Sequence, residues 1–262
     1  MGECNSKSED KWKKQHDKYQ LYQLIKIEGG GELLNDYQKG GKFLSEEVIK
    51  EKLKEYLYSP EDGETKEIEP YENCKDLDAN ETHKACWKKE KELRGGVGET
   101  ILHVCFLKGT EDHKEIAKSI LACYPNLVLD IYEEDEYYGE SCLHLAIVNN
   151  DLESVKMLVE KKAVLDQRAT GRFFKRNNQK GGLLVKHSGY GGHAYYGEYP
   201  LHFAASVGNI DIYNYLVDQK PRASEQGQVD PNAQDSYGNT ALHMAVIHNN
   251  LVSPITGDGY LQ

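Results

Sequence analysis

An all-α solenoid of repeated helix–turn–helix units is the fold this sequence predicts, and three observations predict it. One eight-residue pattern occurs four times, as GETILHVC at 98–105, GESCLHLA at 139–146, GEYPLHFA at 197–204 and GNTALHMA at 238–245. After three of the copies comes a second stretch with apolar residues at helical spacing. These are Ile116, Ala117, Ile120 and Leu121, then Leu152, Val155, Leu158 and Val159, then Ile212, Tyr215 and Leu216. The third observation is that neither helix of such a pair can bury its apolar face alone, so stacked neighbours must supply the core.

The pattern matches the T-P-L-H-x-A signature of ankyrin repeats, in which a turn feeds directly into a short helix. Leu102 and His103, Leu143 and His144, Leu201 and His202, and Leu242 and His243 are the motif pairs. Four histidines at one repeat position read as turn braces that hydrogen-bond between adjacent repeats, not as metal ligands or catalytic bases. Cys105 takes the small-residue position of its helix and Cys142 the usual proline position, so both read as structural. The separations His103–His144, His144–His202 and His202–His243 are 41, 58 and 41 residues. Ordinary repeats recur about every 33 residues, so each unit carries an insertion and the middle one is long.

Read from the N-terminus, residues 1–41 are a flexible tail. Met1-Gly2 followed by Ser6 fits N-myristoylation at Gly2, and Cys4 is placed for a neighbouring palmitate. Residues 42–93 hold a lead-in helix, a degenerate repeat or a cap, and an acidic loop. Ser45 caps that helix, Glu46 and Glu47 suit its positive end, and Val48, Ile49, Leu53, Tyr56 and Leu57 form its apolar face. From Ser59 to about Asn80 the chain is turn-rich and should be a mobile loop. Cys74, His83 and Cys86 follow no zinc spacing and want a fourth ligand. The repeats occupy 94–250, about four of them with the last incomplete, and 251–262 is off pattern. Pro254 and Gly257 stop helix growth there. The simplest account of that ending is a fragment, a splice product or an incomplete gene model.

Composition narrows the function. A net charge of -11 argues against nucleic-acid binding, which needs an excess of Lys and Arg. No stretch approaches the roughly 20 apolar residues of a membrane helix, and the first twenty residues lack a secretory apolar core. Six scattered cysteines without a CxxC pair suit a reducing, cytosolic setting. The run Gly95-Gly96-Val97-Gly98-Glu99-Thr100 lacks phosphate-loop spacing and has Glu99 where a lysine is needed. No nucleophile–base set is recognisable, so the reading is not an enzyme, with no cofactor.

The middle insertion, 167–196, is a finger with Arg168, Arg172, Lys175, Arg176, Lys180 and Lys186 and no acidic residue. A basic finger on an acidic protein is a contact surface, and Arg172, Phe173, Phe174, Lys175 and Arg176 are its contact residues. The paired phenylalanines favour an ordered finger with its apolar residues docked. It begins Gly171-Arg172-Phe173-Phe174-Lys175 and closes on Tyr195-Tyr196-Gly197-Glu198-Tyr199-Pro200-Leu201. That pattern resembles the long finger of transient receptor potential vanilloid (TRPV) channel ankyrin domains. Tyr137-Tyr138-Gly139-Glu140 and Asp235-Ser236-Tyr237-Gly238-Asn239-Thr240 are similar to the same family. The run Arg94 to Thr100 is similar to its invertebrate sensory branch.

The resemblance implies the cytoplasmic part of a calcium-permeable cation channel subunit at the plasma membrane, serving assembly and regulation through protein contacts. It implies neighbouring subunits of a homo- or hetero-tetramer as partners, adds calmodulin as a candidate, and puts the pore outside this chain. Membrane contact would come only through other segments or an N-terminal lipid. The family's ATP-contacting lysines fall at Glu99 and Val104, and a nearby Glu-Arg pair at Val148 and Asn149, so ATP is not carried over. The rival reading is a free-standing ankyrin scaffold or regulator, lipid-anchored or not, that binds a protein partner.

Overall fold

The computed structural model describes residues 21–25, 31–58, 85–174, 195–219 and 229–250. They fall into two compact units, one running to Asp130 and the other from Ile131.

In the first unit a single helical turn, α1 (Leu21–Leu24), precedes α2 (Glu32–Lys39) and α3 (Glu46–Leu53). The sequence reads residues 1–41 as a flexible tail, and the described part of that stretch corrects it. Leu21, Leu33, Leu34 and Tyr37 are buried, because Leu33, Leu34 and Tyr37 form one face of α2, which packs on the later helix α5. In α3, Ser45 Oγ accepts from the Val48 amide at 3.4 Å. The helix ends at Leu53, earlier than its apolar pattern suggests. Tyr56 and Leu57 are buried outside it, and Leu57 and Tyr58 form strand β1, antiparallel to β2 (Cys86–Trp87). The Trp87 indole, 1 % exposed, donates to the Leu93 carbonyl at 3.0 Å, which ties this small ribbon to the segment leading into the first repeat.

The first repeat is the helix pair α4 (Ile101–Lys108) and α5 (Glu111–Cys123). Gly109 in a left-handed conformation (φ 61°) ends α4, and Thr110 caps α5 by accepting from the His113 amide. Ile116, Ala117, Ile120 and Leu121 are all fully buried. Both α2 and α3 pack on α5.

The second unit holds α6 (Cys142–Val148) and α7 (Leu152–Glu160), then α8 (Pro200–Val207) and α9 (Ile210–Val217), then α10 (Ala241–Ile247). The turn between paired helices is the same each time: a left-handed residue, Asn150 at φ 58° or Gly208 at φ 79°, then a capping side chain. Asp151 accepts from the Ser154 amide at 3.1 Å and Asn209 from the Ile212 amide at 2.9 Å. First helices stack on first helices, α8 lying against both α6 and α10, and the second helices α7 and α9 pack likewise. This is the all-α repeat fold the sequence predicts, with β1–β2 a minor addition.

Candidate functional site

Each repeat opens on a glycine at positive φ, Gly98, Gly139, Gly197 and Gly238. At Gly139 a side chain would also strike the Arg168 carbonyl at 2.0 Å. The motif histidine then closes a local cap. His103 Nδ1 accepts from the Thr100 amide at 3.1 Å, His144 Nδ1 from the Ser141 amide at 3.2 Å, and His243 Nδ1 from the Thr240 amide at 3.1 Å. In the third repeat, where Tyr199-Pro200 replaces the hydroxyl cap, His202 Nδ1 accepts from the Glu198 amide at 3.4 Å.

With Nδ1 accepting, Nε2 carries the proton, and in His144 and His202 it reaches the next repeat. His144 Nε2 donates to the Glu198 carbonyl at 3.3 Å and His202 Nε2 to the Ala233 carbonyl at 3.0 Å. Burial pushes the His144 imidazole down to about 3 and also lowers His202, so both stay neutral. Both nitrogens of each ring are engaged, which leaves no lone pair for a metal. Leu102, Leu143 and Leu201 are at most 3 % exposed, whereas Leu242 is 44 % exposed and His243 lies on the surface. Cys105 and Cys142 are fully buried, and burial drives the Cys105 thiol far up, away from a reactive thiolate.

The glycine run at 94–100 is filled by its own side chains. The Glu99 carboxylate accepts from the Val97 amide at 2.9 Å and from the Tyr22 hydroxyl, and it packs where a side chain on Gly95 would sit. Arg94, 1 % exposed, donates to the Lys88 and Gly98 carbonyls at 2.9 Å each and faces Asp130 at 3.8 Å. A loop whose amides already hold a carboxylate is a structural clamp, not a phosphate cradle.

The finger's base is built into the repeats. At its leading end the Thr170 and Gly171 amides donate to the Tyr138 carbonyl at 2.9 Å each. The Arg172 amide donates to Asp135 and the Phe173 amide to Glu136, both at 2.8 Å. Phe174 is 2 % exposed and packs against Phe203 of α8 with ring centroids 5.7 Å apart. That corrects its place among the contact residues, since the ring is turned into the core. Phe173 is half-buried against Tyr137, and Arg172 is exposed. At the trailing end the Tyr195 hydroxyl donates to Asp235, and His248 Nε2 donates to the Tyr195 carbonyl at 2.6 Å. Gly2, Cys4, Cys74, His83, Lys175 and Arg176 lie outside the described residues.

Arg168 is the first of the finger's basic residues. Although its side chain is 42 % exposed, its guanidinium pairs with the buried Glu198, donates to Ser236 Oγ at 3.0 Å and lies over the Tyr199 ring at 5.5 Å. The turn carboxylates Glu99, Glu140 and Glu198 recur at one motif position. Glu140 is handled differently. Its carboxyl has no hydrogen-bond or ion-pair partner among the described residues, and burial pushes it up to about 8.

Among the described residues no three metal-ligating side chains come together, and no helix is long and apolar enough to cross a membrane. One groove of about 200 Å³, lined by Leu165, Asp166, Tyr199, Leu201 and Ala233 among others, is smaller than the roughly 300–1,000 Å³ of small-molecule sites.

Comparison with known proteins agrees with the repeat architecture. Residues 178–253 match a model of ankyrin repeats in three copies, and residues 138–169 match a single ankyrin repeat. The chain is 36% identical over 157 residues to transient receptor potential cation channel subfamily V member 5 of Rattus norvegicus, covering 60% of this chain and 18% of that protein. Subfamily V member 6 of Homo sapiens is 35% identical over 157 residues, with the same coverage, and member 2 of Homo sapiens is 39% identical over 114 residues, 44% of this chain and 13% of its own length. The chain thus spans less than a fifth of these relatives.

Proposed function

We propose that this chain is the ankyrin-repeat part of a TRPV-type, calcium-permeable cation channel subunit. It lies on the cytoplasmic side of the plasma membrane and serves subunit assembly and regulation. The observation that carries the reading is the finger base. The residues that make the finger resemble that family, Gly171 to Phe174 and Tyr195 to Leu201, are the ones that fasten it to the repeats. A finger held this way presents Arg172 and Phe173 at a fixed position, and in sequence the basic run goes on through Lys175 and Arg176. Phe174 supports that surface from beneath.

The partners in this reading are neighbouring subunits of a tetramer, with calmodulin as a regulator. A chimera tests it. Residues 94–250 of this chain replace the matched stretch of the rat member 5 channel, and the products are sized on native gels and checked at the cell surface. The reading predicts tetramers at the surface. A chimera that folds yet remains monomeric contradicts it and favours a free-standing scaffold.

A further inference from the structure

The rings around the finger base form one unbroken series. Tyr132 and Tyr137 lie 5.8 Å apart by ring centroids, Tyr137 and Phe173 5.0 Å, and Phe173 and Phe174 5.3 Å. Phe174 then meets Phe203 at 5.7 Å, Phe203 meets Tyr196 at 5.4 Å, and Tyr196 stacks on His248 at 5.5 Å with only 9° between planes. The members come from different parts of the second unit. Tyr132 and Tyr137 belong to the turn before α6, Phe173 and Phe174 to the finger's leading end, and Phe203 to α8. Tyr196 belongs to the trailing end and His248 closes α10.

The backbone follows the same route. The leading end hangs on the second repeat's turn, through the Arg172 and Phe173 amides on Asp135 and Glu136. The trailing end hangs on the fourth repeat, through Tyr195 on Asp235 and on His248. Close-packed rings transmit displacement, because an interior without voids cannot absorb it locally.

We propose that the finger base is a strap coupling the second repeat's turn to α10. Moving Phe173 off Tyr137 loosens α10 through Phe174, Phe203 and Tyr196. Phe173 is the half-exposed ring of the series at the leading end, and so the one a partner drawing on the finger would reach. The two-state element is the leading end itself, docked or undocked. The coupling is a property of this chain whether the partner is a channel subunit or a free regulator.

Hydrogen exchange on the whole 262-residue chain tests it. F173A is expected to speed exchange in peptides covering 241–248 by about tenfold. L158A, which truncates a fully buried side chain of α7 outside the ring series, should leave those peptides at the parent rate. In a Tyr196→Ala background, F173A should add nothing further at α10. If F173A fails to fold, F173L replaces it, with a smaller acceleration at the same peptides. Acceleration confined to 168–174, or equal acceleration of α10 by F173A and L158A, overturns the proposal.

Discussion

The third and fourth repeats carry the same Leu-His pair in opposite surroundings. In the third, Leu201 is 3 % exposed and His202 reaches across to the Ala233 carbonyl; in the fourth, Leu242 is 44 % exposed and His243 faces outward. Yet His243 still caps its own turn, at 3.1 Å from the Thr240 amide. The motif therefore does two separable jobs. Its cap is local and forms wherever the residues occur. Its brace, and the burial of its leucine, depend on what packs against the turn, as the Ala233 segment does for His202.

Substitutions can break that comparison, and the largest effect belongs to the finger base. Phe174→Ala should cost about 3–5 kcal/mol in urea unfolding, as removal of a buried phenylalanine does. Next comes the motif leucine: Leu201→Ala should cost about 2–5 kcal/mol, and Leu242→Ala within about 0.5 kcal/mol. Equal costs at the two positions would contradict the separation of local and inter-repeat roles. Arg168→Ala should cost about 1–3 kcal/mol by leaving the buried Glu198 carboxylate without its cation. The half-exposed arginine keeps that cost below a fully buried pair's. A double-mutant cycle with Glu198→Gln should show most of it to be coupling.

A second contrast lies between the turn carboxyls Glu140 and Glu198. Glu198 is paired with Arg168, whereas Glu140 is buried without a partner among the described residues and holds its proton up to about 8, from an ordinary 4.5. Below pH 4.5 the group is protonated folded and unfolded and carries no penalty. As pH rises toward 8 only the unfolded chain releases the proton, so stability falls across that window and levels off above it. Glu140→Gln should abolish this slope, matching the parent near pH 4 and exceeding it near pH 8.5 in thermal midpoint. Identical profiles for parent and variant would show that Glu140 is ionised in the fold.

How much of this the sequence carries follows from the range of each interaction. The glycine turns, capping histidines and helix caps at Ser45, Asp151 and Asn209 are contacts within three or four residues, so the repeats and their helix pairs are legible. The two helices before Gly40 are not, because a glycine-flanked eight-residue segment reads as linker until α5 covers Leu33, Leu34 and Tyr37. The Tyr22–Glu99 bond joins residues 77 apart, and strands β1 and β2 are two residues each, too short for alternation to register. The finger's paired phenylalanines announce that something docks. Only the fold reveals that Phe174 docks inward on Phe203 while Arg172 remains outside.

That division within one motif leads to the most direct test of the functional account. Arg172→Glu in the chimeric channel reverses an exposed finger charge without touching the core. The account predicts a thermal midpoint of the 262-residue chain unchanged within error, together with a clear loss of tetramers at the cell surface. Intact tetramers with Arg172→Glu, at the same expression, would contradict the assignment of the finger to subunit contacts.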